Sequence, residues 1–415
     1  MESLTLFKNN KERKLFFFIF LSIFLLNLYL EFSNYKQITK NEIYYTKGII
    51  LNIYDKNKYK TLKIKTENFT FFTSYNKKNE LKIYQTINLY IITKEIDFFS
   101  YLKGFYTKSF GINIDPKKVD IKQKIHNYIK AQHTNDNLSS LYNALYLASP
   151  LTNKIRELAS NLGVSHLIAI SGFHLGVISF VLYFLIHFIY NKIHKTKFPY
   201  RNKKFDIMFF ISFVLFSYLI FIDMPPSLLR AFIMFIFALF LLRNNIKLIS
   251  FETLFIISIF IIALYPKLLF SLSLWFSISG VFYIFLFIKY FSHLNKLLQF
   301  ILFNFWLYLS INPITHYFFA TTALEQLYSP ILTILFTVFY PLTAFLHLLN
   351  IGETFDLYLD ALINMDIYSI EVYTPSWFFI LYILISLFAI IRKESFIILN
   401  ILMIVYNIWL FHFLF

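Results

Sequence analysis

Of the 415 residues none is cysteine, eight are glycine and ten are proline. Without a thiol there can be no disulfide, no thiolate metal site and no cysteine nucleophile. None of the eight glycines opens a G-x-x-x-x-G-K sequence, so the chain lacks a Walker A loop to hold nucleotide phosphates. The ten histidines include no HxH or HExxH frame, which removes the local signature of a zinc hydrolase. Charge is scarce as well, at 15% Asp, Glu, Lys and Arg against about 25% in soluble domains. No metal and no cofactor is expected on these grounds.

What is abundant is apolar surface. Hydrophobic residues make up 58% of the chain, aromatics 21%, and phenylalanine alone fills 54 positions. A soluble core has no use for so much, and the chain reads as an integral membrane protein. The net charge is +16, and between Glu31 and Ser165 there are 21 Lys and Arg against 11 Asp and Glu. That surplus suits a polyanion or an anionic lipid surface; it equally suits a plain, solvated, lysine-rich domain.

The first apolar run, Leu15 to Leu30, follows Lys8, Lys11, Arg13 and Lys14 and has no small-residue cleavage site after it, so residues 1–30 read as a retained anchor with a cytoplasmic N-terminus. From Glu42 to Thr93 the pattern alternates. Leu62, Ile64 and Thr66 share one side while Lys63 and Lys65 share the other, and Asn and Lys clusters at 55–60 and 76–80 supply turns. Four or five short strands there predict a small OB-like barrel within 31–110. Helical spacing from Ile121 to Leu162 predicts a connector over 111–165.

Apolar runs then follow at His166–Tyr190, Ile207–Ile222, Leu228–Leu242, Ile249–Leu264, Phe270–Tyr290, Leu297–Ile311, Ile331–Leu349, Trp377–Ile391 and Phe396–Phe415, with a broken stretch around Ile314–Leu327. The expected fold is a polytopic α-helical membrane protein of about 9–11 spans, some broken, carrying a small extracytoplasmic β-barrel. Basic loops at 191–205, Arg243/Lys247, Lys289/Lys296 and Arg392/Lys393 belong in the cytoplasm. The acidic segment 351–376 then lies outside, so residues 297–350 must cross an odd number of times. Asn312-Pro313 and Ser329-Pro330 therefore read as breaks in helices.

Four constellations carry candidate chemistry. In SHLIAISGFHLG, Ser165 is expected to cap a helix starting at His166. Ser171 and His174 are then neighbours at i,i+3, and Gly172 and Gly176 form a G-x-x-x-G packing seam. His174, an ionisable group inside a span, is expected to face a cavity. In DMPPSLLRAFIM, Ser227 can cap the next helix. Arg230 could pair with Asp223, snorkel to the interface, or offer its fork to a phosphate. In the third constellation, Leu269 to Phe285, Ser273, Ser277 and Gly280 put small residues on one face, where another helix is expected to pack. The fourth, Ile311 to Pro330, gathers Asn312, His316, Thr321, Thr322, Glu325 and Gln326.

These stretches together resemble the ComEC family of bacterial DNA-uptake proteins. HLIAISGFHLG matches the family's HLxAISGxHxG signature, PPSLLRA its P-S-x-x-R-A element, and Ile96 to Ile112 its linker after the OB domain. Ala148-Ser149-Pro150 stands where the family carries Gly-Asp-Arg. With no HxHxDH sequence, the chain reads as a short form lacking the metallo-β-lactamase-like domain of larger members. The resemblance implies that residues 166–415 form an inner-membrane channel passing single-stranded DNA into the cytoplasm during transformation. His166, Ser171, His174, Arg230, Asn312 and His316 would line its path. It also implies a periplasmic DNA-delivery protein and a cytoplasmic helicase-like ATPase motor as partners, alongside membrane lipid and a homo-oligomer. A motor is needed because each phosphate entering a negative-inside cell meets about 2.3 kcal/mol per 100 mV. No catalysis is expected. The alternatives are an intramembrane serine hydrolase using Ser171, for which the i,i+3 base is poorly placed, and a structural membrane-assembly protein.

Overall fold

The computed structural model describes residues 9–55, 59–75, 81, 83–114, 121–243 and 250–414. Residues 56–58 and 76–80, within the expected turns, and Lys247 lie outside the described residues. Helix α1, Asn10–Ile38, is far longer than the apolar run Leu15–Leu30. Asn9 caps it by accepting from the Glu12 N–H, and no Gly or Pro interrupts it. Its last turns pack on the β region: Ile38 is buried in the sheet core, and Phe32 and Tyr35 set their rings against Phe98 at 5.2 and 5.5 Å.

Strands β1 (Ile43–Asp55), β2 (Lys60–Lys65), β3 (Thr70–Tyr75) and β4 (Thr86–Ile92) come next, then helix α2 (Phe98–Lys103) and strands β5 (Phe105–Tyr106) and β6 (Ser109–Ile114). They form one sheet in the order β5-β3-β2-β1-β4-β6. The alternation holds as expected, with Leu62, Ile64 and Thr66 buried and Lys63 and Lys65 on the other side. The first half of β1 pairs with β4 and the second half with β2, with a register shift between Ile50 and Asn52. Gly48 sits at this bend, where a Cβ would collide with Ile64 Cγ2. The two end strands belong to one continuous segment. Thr107 N–H donates to the Phe72 carbonyl (2.9 Å), Ile92 N–H to the Lys108 carbonyl (3.1 Å), and Thr73 Oγ1 to Ser109 Oγ (2.7 Å).

The connector is three short helices, α3 (Ile121–Lys130), α4 (Asp136–Leu147) and α5 (Asn153–Asn161). There follow α6 (Ser165–Ile168), α7 (Gly172–Lys197), α8 (Lys203–Phe221), α9 (Pro226–Arg243), α10 (Phe251–Leu264), α11 (Leu272–Phe291) and α12 (Lys296–Phe318). After a two-residue strand β7 (Thr321–Thr322) come α13 (Ser329–Leu348), α14 (Asp356–Ile363), β8 (Ile370–Glu371), α15 (Ser376–Phe388) and α16 (Lys393–His412). The segments of α1, α7, α8, α11, α12, α13 and α16 are long and apolar enough to cross a membrane; α10 and α15 are apolar but shorter. Phe180, Phe184 and Phe188 stand exposed one turn apart on α7, as a lipid-facing stripe does.

Two expectations about breaks are corrected. Helix α12 runs straight through Asn312-Pro313. Proline cannot donate to the carbonyl four residues back, but Asn407 Nδ2 on α16 donates to that Leu309 carbonyl at 3.1 Å, so the helix continues. The second correction concerns the start of α7, which is not His166 but Gly172.

Helix α13 is bound at both ends by the connector. Ser329 Oγ donates to the Gly163 carbonyl (2.9 Å) at its start. Near its other end Tyr128 OH and Gln132 Nε2 donate to the His347 carbonyl (3.0 and 3.2 Å). The long helices also close a circuit: α7 touches α9 and α13, α9 touches α11, α11 touches α12, and α12 touches α13.

Candidate functional site

The chain between α6 and α7 is extended at Ser171, which caps α7 instead of lying within it. Its Oγ accepts from the Phe173 N–H, and His174 Nδ1 accepts from the Ser171 N–H at 3.2 Å. This is a capping box with histidine in the usual Glu position, so Ser165 is not the cap. His174 is fully buried, its ring 4.6 Å from that of Tyr340 on α13. Because Nδ1 is an acceptor here, Nε2 carries the proton, and it has no partner among the described residues. His166, on α6, is exposed.

Helix α9 starts after a turn in which Asp223 and Met224 both have positive φ, 65° and 51°, strained for residues with a Cβ. Asp223 does not pair with Arg230. It pairs with Lys122 Nζ at 2.9 Å, while Lys65 Nζ donates to its backbone carbonyl at 3.0 Å. Ser227 Oγ donates to the Ile170 carbonyl (2.6 Å), tying α9 to the break before α7 rather than capping its own helix. Arg230 is 5% exposed. Its Nη1 donates to Ser273 Oγ on α11 at 3.3 Å, its Nε has no partner, and no carboxylate pairs with it among the described residues. A buried guanidinium without a counter-ion is costly.

The expected packing seam is present only in part. A Cβ at Gly172 would lie 3.3 Å from Ala231 Cβ, so α7 and α9 meet there, but Cβ atoms at Gly176 and Gly280 would touch nothing within 4 Å. Of the α11 face, Ser273 is exposed and Ser277 is half-buried. The N-terminal turns of α7, α9 and α11 thus converge, and their dipoles are positive toward the same place.

Asn312 and His316 are held elsewhere. Asn312 Nδ2 donates to Asn407 Oδ1 on α16 at 2.7 Å, and His316 Nδ1 lies 3.3 Å from Thr322 Oγ1. Both side chains are buried in the α12–α16 packing unit and beside the β7–β8 pair.

Sequence reasoning missed a cleft of about 420 Å³ between the sheet and the membrane helices. Lys63, Lys65, Lys103 and Lys267 line it together with Phe69, Tyr101 and Phe270, and no acid among the described residues does. Lys267 Nζ reaches the Asn68 carbonyl (2.7 Å) and pairs with Glu31 (2.7 Å). Partial burial lowers the pKa of Lys63. Ser271 also lines the cleft, two residues before the Ser273 that accepts from Arg230. The lysine surplus was a signal for the sheet side, but Lys267 comes from a membrane turn that nothing local marks.

Of the β-region aromatics that could stack on bases, Tyr44, Tyr45, Tyr54, Phe69, Phe71, Phe72 and Tyr84, three (Phe69, Phe71 and Tyr84) are core and Tyr45 is exposed. Tyr45 belongs to an exposed set on β1, β4 and β6: Tyr45 and Tyr90 have ring centres 5.2 Å apart, and Tyr90 and Phe110 stack at 5.5 Å.

The arrangement defines a multi-pass α-helical membrane protein with an appended β-sheet unit and a buried cationic site where helix ends meet. The Competence protein family matches residues 148–411, and the chain belongs to that family. Its role is accordingly in DNA uptake for transformation. No curated protein and no solved structure matches the chain.

Proposed function

We propose that the chain is the inner-membrane channel through which single-stranded DNA enters the cytoplasm. The observation that carries this is Arg230: a buried guanidinium without a carboxylate, at the meeting of three helix N-termini, just past a lysine-lined cleft. A backbone phosphate is an anion of the right geometry for that fork.

The segment 105–114, whose strands β5 and β6 pair with β3 and β4, supports reading the sheet as a closed, OB-like barrel, with domains at 31–110 and 166–415 joined by the connector 111–165 and anchored by 1–30. Tyr45, Tyr90 and Phe110 would then stack bases while the lysines hold phosphates. The outer placement of this unit is supported by its contacts. Lys65, Lys122 and Lys267 link sheet and connector to the α8–α9 and α10–α11 turns, opposite the basic loops assigned to the cytoplasm. With both ends of α13 on the connector, the one crossing between 297 and 350 is α12, in keeping with the required parity. His166, Ser171, His174, Asn312 and His316 then shape the passage by holding helices. A periplasmic delivery protein and a cytoplasmic helicase-like motor remain the partners this mechanism requires.

No observation favours a hydrolase. The His174 nitrogen nearest Ser171 is occupied by the backbone N–H of Ser171 itself, and a base needs that lone pair free. The test is uptake of labelled DNA in a deletion strain carrying Arg230→Ala, with protein abundance measured alongside. Uptake lost at normal abundance supports the channel; uptake retained removes Arg230 from the path.

A further inference from the structure

Away from the Arg230 site, the turn after α3 meets the end of α13 and the start of α14 in a buried knot of histidines. His133 Nδ1 lies 3.0 and 2.9 Å from the two carboxylate oxygens of Asp356, and His347 Nδ1 lies 2.7 Å from the Thr343 carbonyl. A carboxylate and a carbonyl only accept, so both Nδ1 atoms carry protons. Each neutral ring then has its lone pair on Nε2, and the two Nε2 atoms face each other at 3.0 Å. Two lone pairs at that distance repel unless a cation lies between them or beside both.

We infer that His133 and His347 bind a divalent transition-metal ion through their Nε2 atoms. Imidazole nitrogens sit about 2.0–2.1 Å from such ions, and two nitrogens 3.0 Å apart then subtend roughly 90° at the metal. The supporting contacts match those of metal-bound histidines, whose second ring N–H goes to a carboxylate or a backbone carbonyl. Both rings are buried. Space is kept in front of them by Gly352, where a Cβ would come within 2.8 Å of His347 Nε2 and 2.7 Å of Gln132 Oε1. Tyr142 stacks on His133 at 4.6 Å, and its buried hydroxyl has no partner among the described residues. No group of three or more His, Asp or Glu converges among the described residues, and the Gln132 amide oxygen accepts from the Gly352 N–H at 2.9 Å, so the remaining positions on the ion are left to water. Imidazole donors suit Zn²⁺, Ni²⁺ and Cu²⁺. The ion would clamp the connector to the far end of α13 irrespective of whether DNA passes through the helices.

The experiment is titration of tag-free, chelator-stripped full chain in detergent with Co²⁺ and then Zn²⁺. The expected result is one equivalent of Co²⁺ with visible absorption bands, displaced by Zn²⁺. Binding should weaken at least tenfold in His133→Ala and in His347→Ala, and roughly 10- to 100-fold in Asp356→Asn. His293→Ala, at an exposed histidine, should leave it unchanged. X-ray absorption of the Zn²⁺-loaded wild type, which needs no variant to fold, should show two imidazole nitrogens. Absence of binding would mean a shared proton sits between the rings and would overturn the inference. So would binding unaffected by the two histidine variants, or a zinc shell without two imidazoles.

Discussion

A guanidinium in a protein interior needs an anion or water, and among the described residues Arg230 has only one serine hydroxyl. A charge-assisted hydrogen bond to phosphate contributes about 1.5–3 kcal/mol, so Arg230→Ala should lower uptake by roughly 10- to 100-fold at unchanged abundance. Arg230→Lys should recover part of it, because a point charge replaces the fork. Ser171 is expected to behave differently. Losing its cap should cost about 1 kcal/mol, seen as a lower unfolding temperature of Ser171→Ala in detergent, and a fluorophosphonate probe should leave Ser171 unlabelled. Arg230 was legible in the sequence through PPSLLRA, but its isolation was not. The acid seven residues before it is the natural partner on paper, and only the fold reveals that Lys122, a hundred residues away, takes Asp223 instead.

Among the elements, the strands show how far pattern reaches. Alternation at Leu62 to Lys65 gave the buried face, whereas of the rings that could stack only Tyr45 is well exposed, beside Tyr90 on β4 and Phe110 on β6. An aromatic in a strand faces core or solvent according to register, and register with a distant partner is not local information. Replacing Tyr90 or Phe110 with Ala should weaken single-stranded DNA binding by about 1–3 kcal/mol per ring, measured by fluorescence anisotropy. Lys103→Ala should reduce the salt dependence of that binding by about 0.7 in slope. Helix ends were harder to read for a related reason. Pro313 looked like a break because the Leu309 carbonyl it leaves without a donor is local, while Asn407, which satisfies that carbonyl, lies on another helix. The cap at Ser171 was misplaced because histidine is an uncommon side chain to close a capping box.

For the molecule as a whole, the membrane class and the order of the apolar runs were readable from composition and loop charge. The cleft was not, since its lysines come from the sheet, α2 and the α10–α11 turn at once. The chain carries no Walker A loop, and translocating DNA inward against a negative-inside potential costs about 2.3 kcal/mol per phosphate per 100 mV. Reconstituted alone in vesicles held at such a potential, it should therefore move no DNA inward. Inward movement without any added ATPase would mean that the energetic account is wrong.

Because the chain contains no cysteine, single cysteines can report directly on whether a water-filled path runs between the helices. Ser273→Cys and Gly280→Cys should react with a membrane-impermeant thiol reagent and be protected while DNA is in transit, whereas Phe184→Cys on the lipid-facing stripe should stay unreactive. If Gly280→Cys is as inert as Phe184→Cys, with and without DNA, no aqueous passage exists there and the channel reading is contradicted.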